Sequence, residues 1–117
     1  MSTESTGLPL EGVRVIEFTH MVMGPTCGMI LADLGAEVIK VEPVDGDRTR
    51  KLRGFGAGFF GYFNRNKKSL ALDADSPEGR KVLVKLLEKA DVLIENFRSG
   101  VAESLGLGQP RGALVRG

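Results

Sequence analysis

The sequence predicts an α/β fold, a parallel sheet with helices on its faces. Three observations predict it. Short β-branched runs alternate with stretches of helical period. The runs over residues 13–18, 38–41 and 92–95 are β-branched and apolar enough to read as strands buried on both faces. Finally, Gly12 to Glu42 holds a strand, a corner, a helix and a second strand in that order. That is a βαβ unit, and its ligand site belongs in the loops at the carboxyl ends of the strands.

Taken in order, Leu8 to Glu11 leads in, with Leu10 capping the core. Val13, Val15, Ile16 and Phe18 make the first strand. The chain breaks from His20 to Gly24, and Pro25 opens a helix, where its missing N–H costs nothing. Met29, Ile30, Ala32, Leu34 and Ala36 supply the apolar surface of that helix, and Gly35 stands where a left-handed cap would stop it. Val38, Ile39 and Val41 form the second strand, which ends at Glu42. Pro43 to Gly61, rich in glycine and arginine, has no period and reads as a loop. Phe59, Phe60, Tyr62 and Phe63 dock it on the body.

Asn64 to Lys68 is a basic turn and Ser69 to Asp73 a short strand. Ser76-Pro77-Glu78 is a helix start, with Ser76 as cap, proline in the first turn and a carboxylate near the positive end of the dipole. Val82, Leu83, Leu86, Leu87 and Ala90 then recur at helical spacing. Val92 to Glu95 is another buried strand, and Gly100 to Leu105 a short helix stopped by Gly106. Beyond Gly108 no amphipathic period remains. With few strands visible, the chain reads as the front of a larger domain: a flexible tail over 1–9, the body over 10–108, and a divergent or truncated tail over 109–117.

Composition narrows the function classes. The 117 residues suit one small domain, with 42% hydrophobic and 26% charged residues and a net charge of +1. That balance gives no electrostatic argument for nucleic acid or an anionic membrane. Cys27 is the single cysteine, which excludes an intrachain disulfide framework and fits a reducing, cytoplasmic setting. As a nucleophile it competes with the simpler reading of a small buried residue. No stretch approaches the about 20 apolar residues that span a bilayer, and the polar start lacks a signal peptide's pattern.

Several residues could carry chemistry. His20 directly follows a strand, where it can serve as an acid–base group, a hydrogen-bonding residue or a structural one. Gly54-x-Gly56-x-Gly58-x-x-Gly61 neither follows a strand nor opens a helix, so it reads as a loop rather than a dinucleotide fingerprint. The first corner is HMVMGP, without that fingerprint, which disfavours NAD; Glu42 nonetheless stands where such folds place an acidic ribose contact. Arg48, Arg50, Lys51, Arg53, Arg65, Lys67 and Lys68 concentrate basic charge, either as a pocket for a phosphorylated small molecule or as a solvated loop face. Glu95-Asn96-Phe97 ends a buried strand and could hold an adenine or a pantetheine arm, or simply cap the next helix. No clustering suggests a metal site.

Together the segments GVRVIEFTHMVMGP, LADLGAEVIKVEP, GDRTR, FNRNKKSLALD and SPEGRKVLVKLLEKADVLIENFRSGVAESLGLG resemble the N-terminal part of the class III CoA-transferases, the CaiB/BaiF family. They keep that family's order from residue 10 to 108. The resemblance implies a Rossmann-like domain, coenzyme A or acyl-CoA as a substrate rather than a tightly bound cofactor, a carboxylic acid as second substrate, and an interlocked homodimer. It implies that His20, Met21, Val22 and Met23 lie along CoA. Leu72, Asp73, Ala74 and Asp75, with Glu95, Asn96 and Phe97, would face the adenine and ribose-phosphate part.

Pro43 stands where several members of the resembled family have arginine toward the nucleotide phosphate, and Ser104 where many have another arginine. CoA affinity is therefore expected to rest more on Arg48, Lys67, Lys68 and Arg98. In the transferases an aspartate attacks the acyl-CoA thioester to form an anhydride. None of Asp33, Asp45, Asp47, Asp73, Asp75 or Asp91 matches its motif, so no catalytic residue is assigned. The implied reaction of the complete enzyme is transfer of CoA between carboxylic acids. A 2-methylacyl-CoA racemase of the same family and a non-catalytic CoA-binding or dimerising fragment are the alternatives.

Overall fold

Side chains alternate along the strands, yet both sets are apolar enough to need cover, and that sets the layering. In the computed structural model, which describes residues 7–96 and 113–116, five parallel strands form one sheet in the order β3-β2-β1-β4-β5. They are β1 Arg14–Phe18, β2 Glu37–Glu42, β3 Lys68–Ala71, β4 Val92–Glu95 and β5 Ala113–Arg116. β1 pairs with β2 in the register Val15↔Val38 and with β4 in the register Ile16↔Leu93. The order reverses between β1 and β4, so the connections leaving those two strands run in opposite directions along the sheet.

One face carries Val15, Val38 and Ile94, covered by helix α1, Met23–Asp33, through Ala32 and by Ala36 beyond it. The other carries Ile16, Phe18, Val41 and Leu93, covered by Leu83, Leu86 and Leu87 of helix α3, Pro77–Glu88. Leu10 packs at the edge of the first cluster, as expected. Gly35 takes φ +105° and its N–H bonds the Ala32 carbonyl, the left-handed stop anticipated from the sequence. Ser76 caps α3 by accepting the Gly79 N–H at 2.9 Å.

Several local readings are corrected. Ile30, Leu34 and Val82 are exposed rather than packed, because the stripe each helix buries is narrower than its apolar set. The stretch after Glu42 is not featureless. It folds into 3₁₀ turns at Arg48–Lys51 and Gly54–Gly56 and helix α2, Phe59–Phe63, elements too short to show a period. β5 lies where the sequence offers no pattern: four residues give no periodic signal, and pairing with β4 creates the strand. The expected helix over Gly100–Leu105, Phe97, Arg98 and Ser104 lie outside the described residues.

Candidate functional site

A cleft of about 580 Å³ opens at the carboxyl ends of β1, β2 and β3, on the side of the sheet that α3 covers. Its walls derive from three strand ends. Phe18, Thr19 and His20 continue β1. Val41 to Val44, with Asp47 and Arg48, continue β2, and Leu72 to Asp75 continue β3.

The β1 end is held by a reciprocal clasp. The His20 N–H donates to Asn96 Oδ1 at 3.3 Å, and Asn96 Nδ2 donates to the His20 carbonyl at 3.0 Å. Met21 then turns the corner with φ +67°, a region costly for a residue with a Cβ, and its N–H donates to Thr49 Oγ1 at 2.9 Å. A Cβ on Gly24 would stand 2.7 Å from Thr19 and 3.0 Å from the Asn96 amide, so only glycine lets α1 start this close.

The β3 end is tied to α3. Asp73 accepts the Asp75 N–H at 3.0 Å, and Ser76 Oγ donates to the Asp73 carbonyl at 2.9 Å. The Leu72–Asp75 wall and the α3 cap are thus one unit.

The β2 wall rests on a buried ionic network on the α1 side of the sheet. Lys40, 1% exposed, donates to the Thr19 carbonyl at 2.7 Å and pairs with Asp47 at 3.0 Å and Glu17 at 3.5 Å. The Thr19 hydroxyl donates to Glu17, and Lys67 Nζ reaches the same carboxylate at 2.8 Å. Asp47 caps the following turn by accepting the Thr49 N–H at 2.9 Å. Burial pushes the Asp47 carboxyl up, but the Thr49 N–H and the Lys40 charge outweigh it and hold it below the ordinary range. Burial also pulls the Lys67 ammonium down, opposed by Glu17.

Glu42 closes the loop. It accepts from Arg50 at 2.7 and 2.8 Å, from the Asp47 N–H at 2.8 Å and from the Ser69 hydroxyl. Chiefly through Arg50, and against burial, its carboxyl is pulled from 4.5 to about 2. A carboxylate acidified by folding stabilises above its unfolded pKa and loses that contribution as pH falls through the folded one. The shift corresponds to about 3 kcal/mol at most, reduced because Arg50 is 41% exposed. The urea midpoint should therefore drop between pH 4.5 and 2. Glu42→Gln should start lower and flatten this part of the profile; an unchanged slope would contradict the assignment.

The structure brings some sequence-predicted residues together and separates others. His20 and Leu72, Asp73, Ala74 and Asp75 share the cleft, and Asn96 braces His20. Met21, Val22 and Met23 do not line it; Met23 is 75% exposed on the first turn of α1. Glu95 is buried at 2% exposure. Lys67 and Lys68 lie elsewhere. Lys67 Nζ is enclosed by Glu17, the Pro25 carbonyl at 3.0 Å and Asn64 Oδ1 at 2.8 Å. Lys68 pairs with Glu37 at 2.7 Å, at the amino end of β2 and so at the opposite end of the sheet from the cleft.

The basic concentration is likewise dispersed, since Arg50 is committed to Glu42 and Arg65 to Asp33. Glu42 itself is occupied by protein donors and is not offered to a ribose. Cys27 is a poor nucleophile, because burial, then Glu17, pushes its thiol up. Sequence reading missed Thr19, Lys40 and Asp47. A signal existed: a lysine inside VIKVE, a strand buried on both faces, requires a buried counter-charge.

The family model CoA-transferase family III matches residues 10–113. Formyl-CoA:oxalate CoA-transferase of Bradyrhizobium sp. (strain ORS 278) is 47% identical over 102 residues, covering 83% of this chain and 24% of that protein. The probable fatty acyl-CoA transferase Rv3272 of Mycobacterium tuberculosis is 41% identical over 114 residues, 92% of this chain and 29% of the relative. The crystal structure of Rv3272 superposes with a TM-score of 0.86 at 40% identity, over 94% of this chain and 33% of that one. A CAIB/BAIF family protein from Brucella suis gives 0.79 at 40% identity, over 87% and 29%. The chain thus spans about a quarter of the length of the curated relatives it matches. With sequence and fold agreeing over nearly its whole length, the chain belongs to CoA-transferase family III.

Proposed function

We propose that this chain is the CoA-binding portion of an enzyme that transfers CoA between carboxylic acids. The observation that carries the reading is the cleft at the carboxyl ends of β1–β3, where the clasped His20 faces the Leu72–Asp75 loop. Such a crevice in a parallel sheet is where nucleotides dock. A CoA thioester and a carboxylic acid are the substrates of the complete enzyme. Its setting is cytoplasmic, and it pairs as a homodimer. Among the described residues no helix is long and apolar enough to cross a membrane.

The chain itself binds rather than catalyses. Asp33 is paired with Arg65, Asp47 with Lys40, and the Asp91 carboxylate accepts the Arg14 N–H at 2.9 Å. Asp73 is engaged in its own turn. None of these four is poised to attack a thioester.

Calorimetric titration separates the ligand classes. CoA should give saturable heat and NAD none. Equal binding of both, or no binding of CoA, would overturn the reading.

A further inference from the structure

We propose that Arg48 is the residue of this cleft that reads a phosphate of the ligand, an assignment that rests on the CoA-binding reading above. Arg48 is exposed in the cleft wall and has no ion-pair partner among the described residues. The neighbouring cations are committed elsewhere: Arg50 to Glu42, Lys40 to Asp47 and Lys67 to Glu17.

Its backbone is pre-positioned. Asp47 before it and Thr49 after it are 3% and 1% exposed. Asp47 is fixed by Lys40 and by its N–H to Glu42, and Thr49 by the Asp47 carboxylate and the Met21 N–H. An arginine on so rigid a base loses little backbone freedom on binding, and its planar fork suits a phosphate in two-point contact.

The opposite wall carries Asp73 and Asp75, so the rim is bipolar. A nucleotide fits with its phosphate toward Arg48 and its hydroxyl or amino donors toward the aspartates, and the like-charge repulsion of the reverse pose selects that orientation. Pro43, which lacks any cation, lies in the same wall as Arg48.

The test is calorimetry with CoA and dephospho-CoA on the full chain, Arg48→Ala and Arg53→Ala, with circular dichroism to show that all three fold. Arg53 is also exposed but stands outside the cleft wall. Arg48→Ala should weaken CoA roughly ten- to a hundredfold, the range of a charge-assisted hydrogen-bonded contact, while Arg53→Ala changes it less than about twofold. A loss confined to CoA identifies the 3′-phosphate; a loss shared by dephospho-CoA identifies the diphosphate. Both outcomes support the assignment. Unchanged CoA affinity in Arg48→Ala, or an equal loss in Arg53→Ala, overturns it while leaving the binding function intact. Failure of the unaltered chain to bind CoA overturns both.

Discussion

Replacing Lys40 by methionine is expected to cost the fold about 3–5 kcal/mol, the range for removing one partner of a buried ion pair. Methionine matches the lysine stem in length, so packing changes little and the loss is electrostatic. The Thr19 carbonyl loses its donor, and Asp47 is left buried with its counter-charge gone. Glu17 still keeps Lys67 at 2.8 Å. A domain stable by roughly 5–15 kcal/mol would be brought near its threshold. Urea denaturation measures the change, and adding Asp47→Asn to the lysine variant should recover part of it. The comparison is Asp33→Ala, which removes the Arg65 pair whose members are 43% and 34% exposed. That variant should leave the urea midpoint nearly where it was, since solvent screens an exposed ion pair. Equal losses in the two variants would refute the distinction between buried and surface charge.

Gly79→Ala should destabilise by about 2–3 kcal/mol, where the same change at an unconstrained helical glycine gains about 1. A Cβ there would fall 1.8 Å from the Asp73 carbonyl oxygen and 2.9 Å from Ser76 Oγ. The first is backbone and cannot step aside as a flexible side chain would. To admit the methyl group, the Asp73–Ser76 turn must move away from α3, and the Leu72–Asp75 wall moves with it. The thermal midpoint and CoA affinity should therefore fall together. Gly61→Ala in α2 is the control, because beyond its chain neighbours and its own helix backbone no atom lies within 4 Å of the new carbon. A destabilising Gly61 variant, or a neutral Gly79 variant, would contradict this account.

Much of this architecture is legible in the residues. Val92 to Glu95 and the stop at Glu42 lie where the sequence puts them, because β-branched runs flanked by breakers leave little freedom. The Ser76-Pro77 start of α3 carries its own capping chemistry and is found where expected. His20 and Leu72–Asp75 line one cleft, and what joined them in advance was the family resemblance, not any spacing or period of the residues. What escaped reading depends on partners distant in sequence. Lys67 looks like one of a basic run until Glu17, fifty residues earlier, is seen beneath it. Lys40 meets the Thr19 carbonyl, twenty-one residues earlier, only once the first two strands have paired. The turns after Glu42 owe their shape to such pairings and not to any local period.

That brace behind the cleft divides the protein by solvent access. Mobile ions at physiological strength screen beyond about 8 Å of water, which reaches the Arg48 guanidinium but not an ammonium 1% exposed. Added electrolyte thus weakens the hold on an anionic guest well before it loosens the scaffold presenting that hold. A guest can be released without the host coming apart.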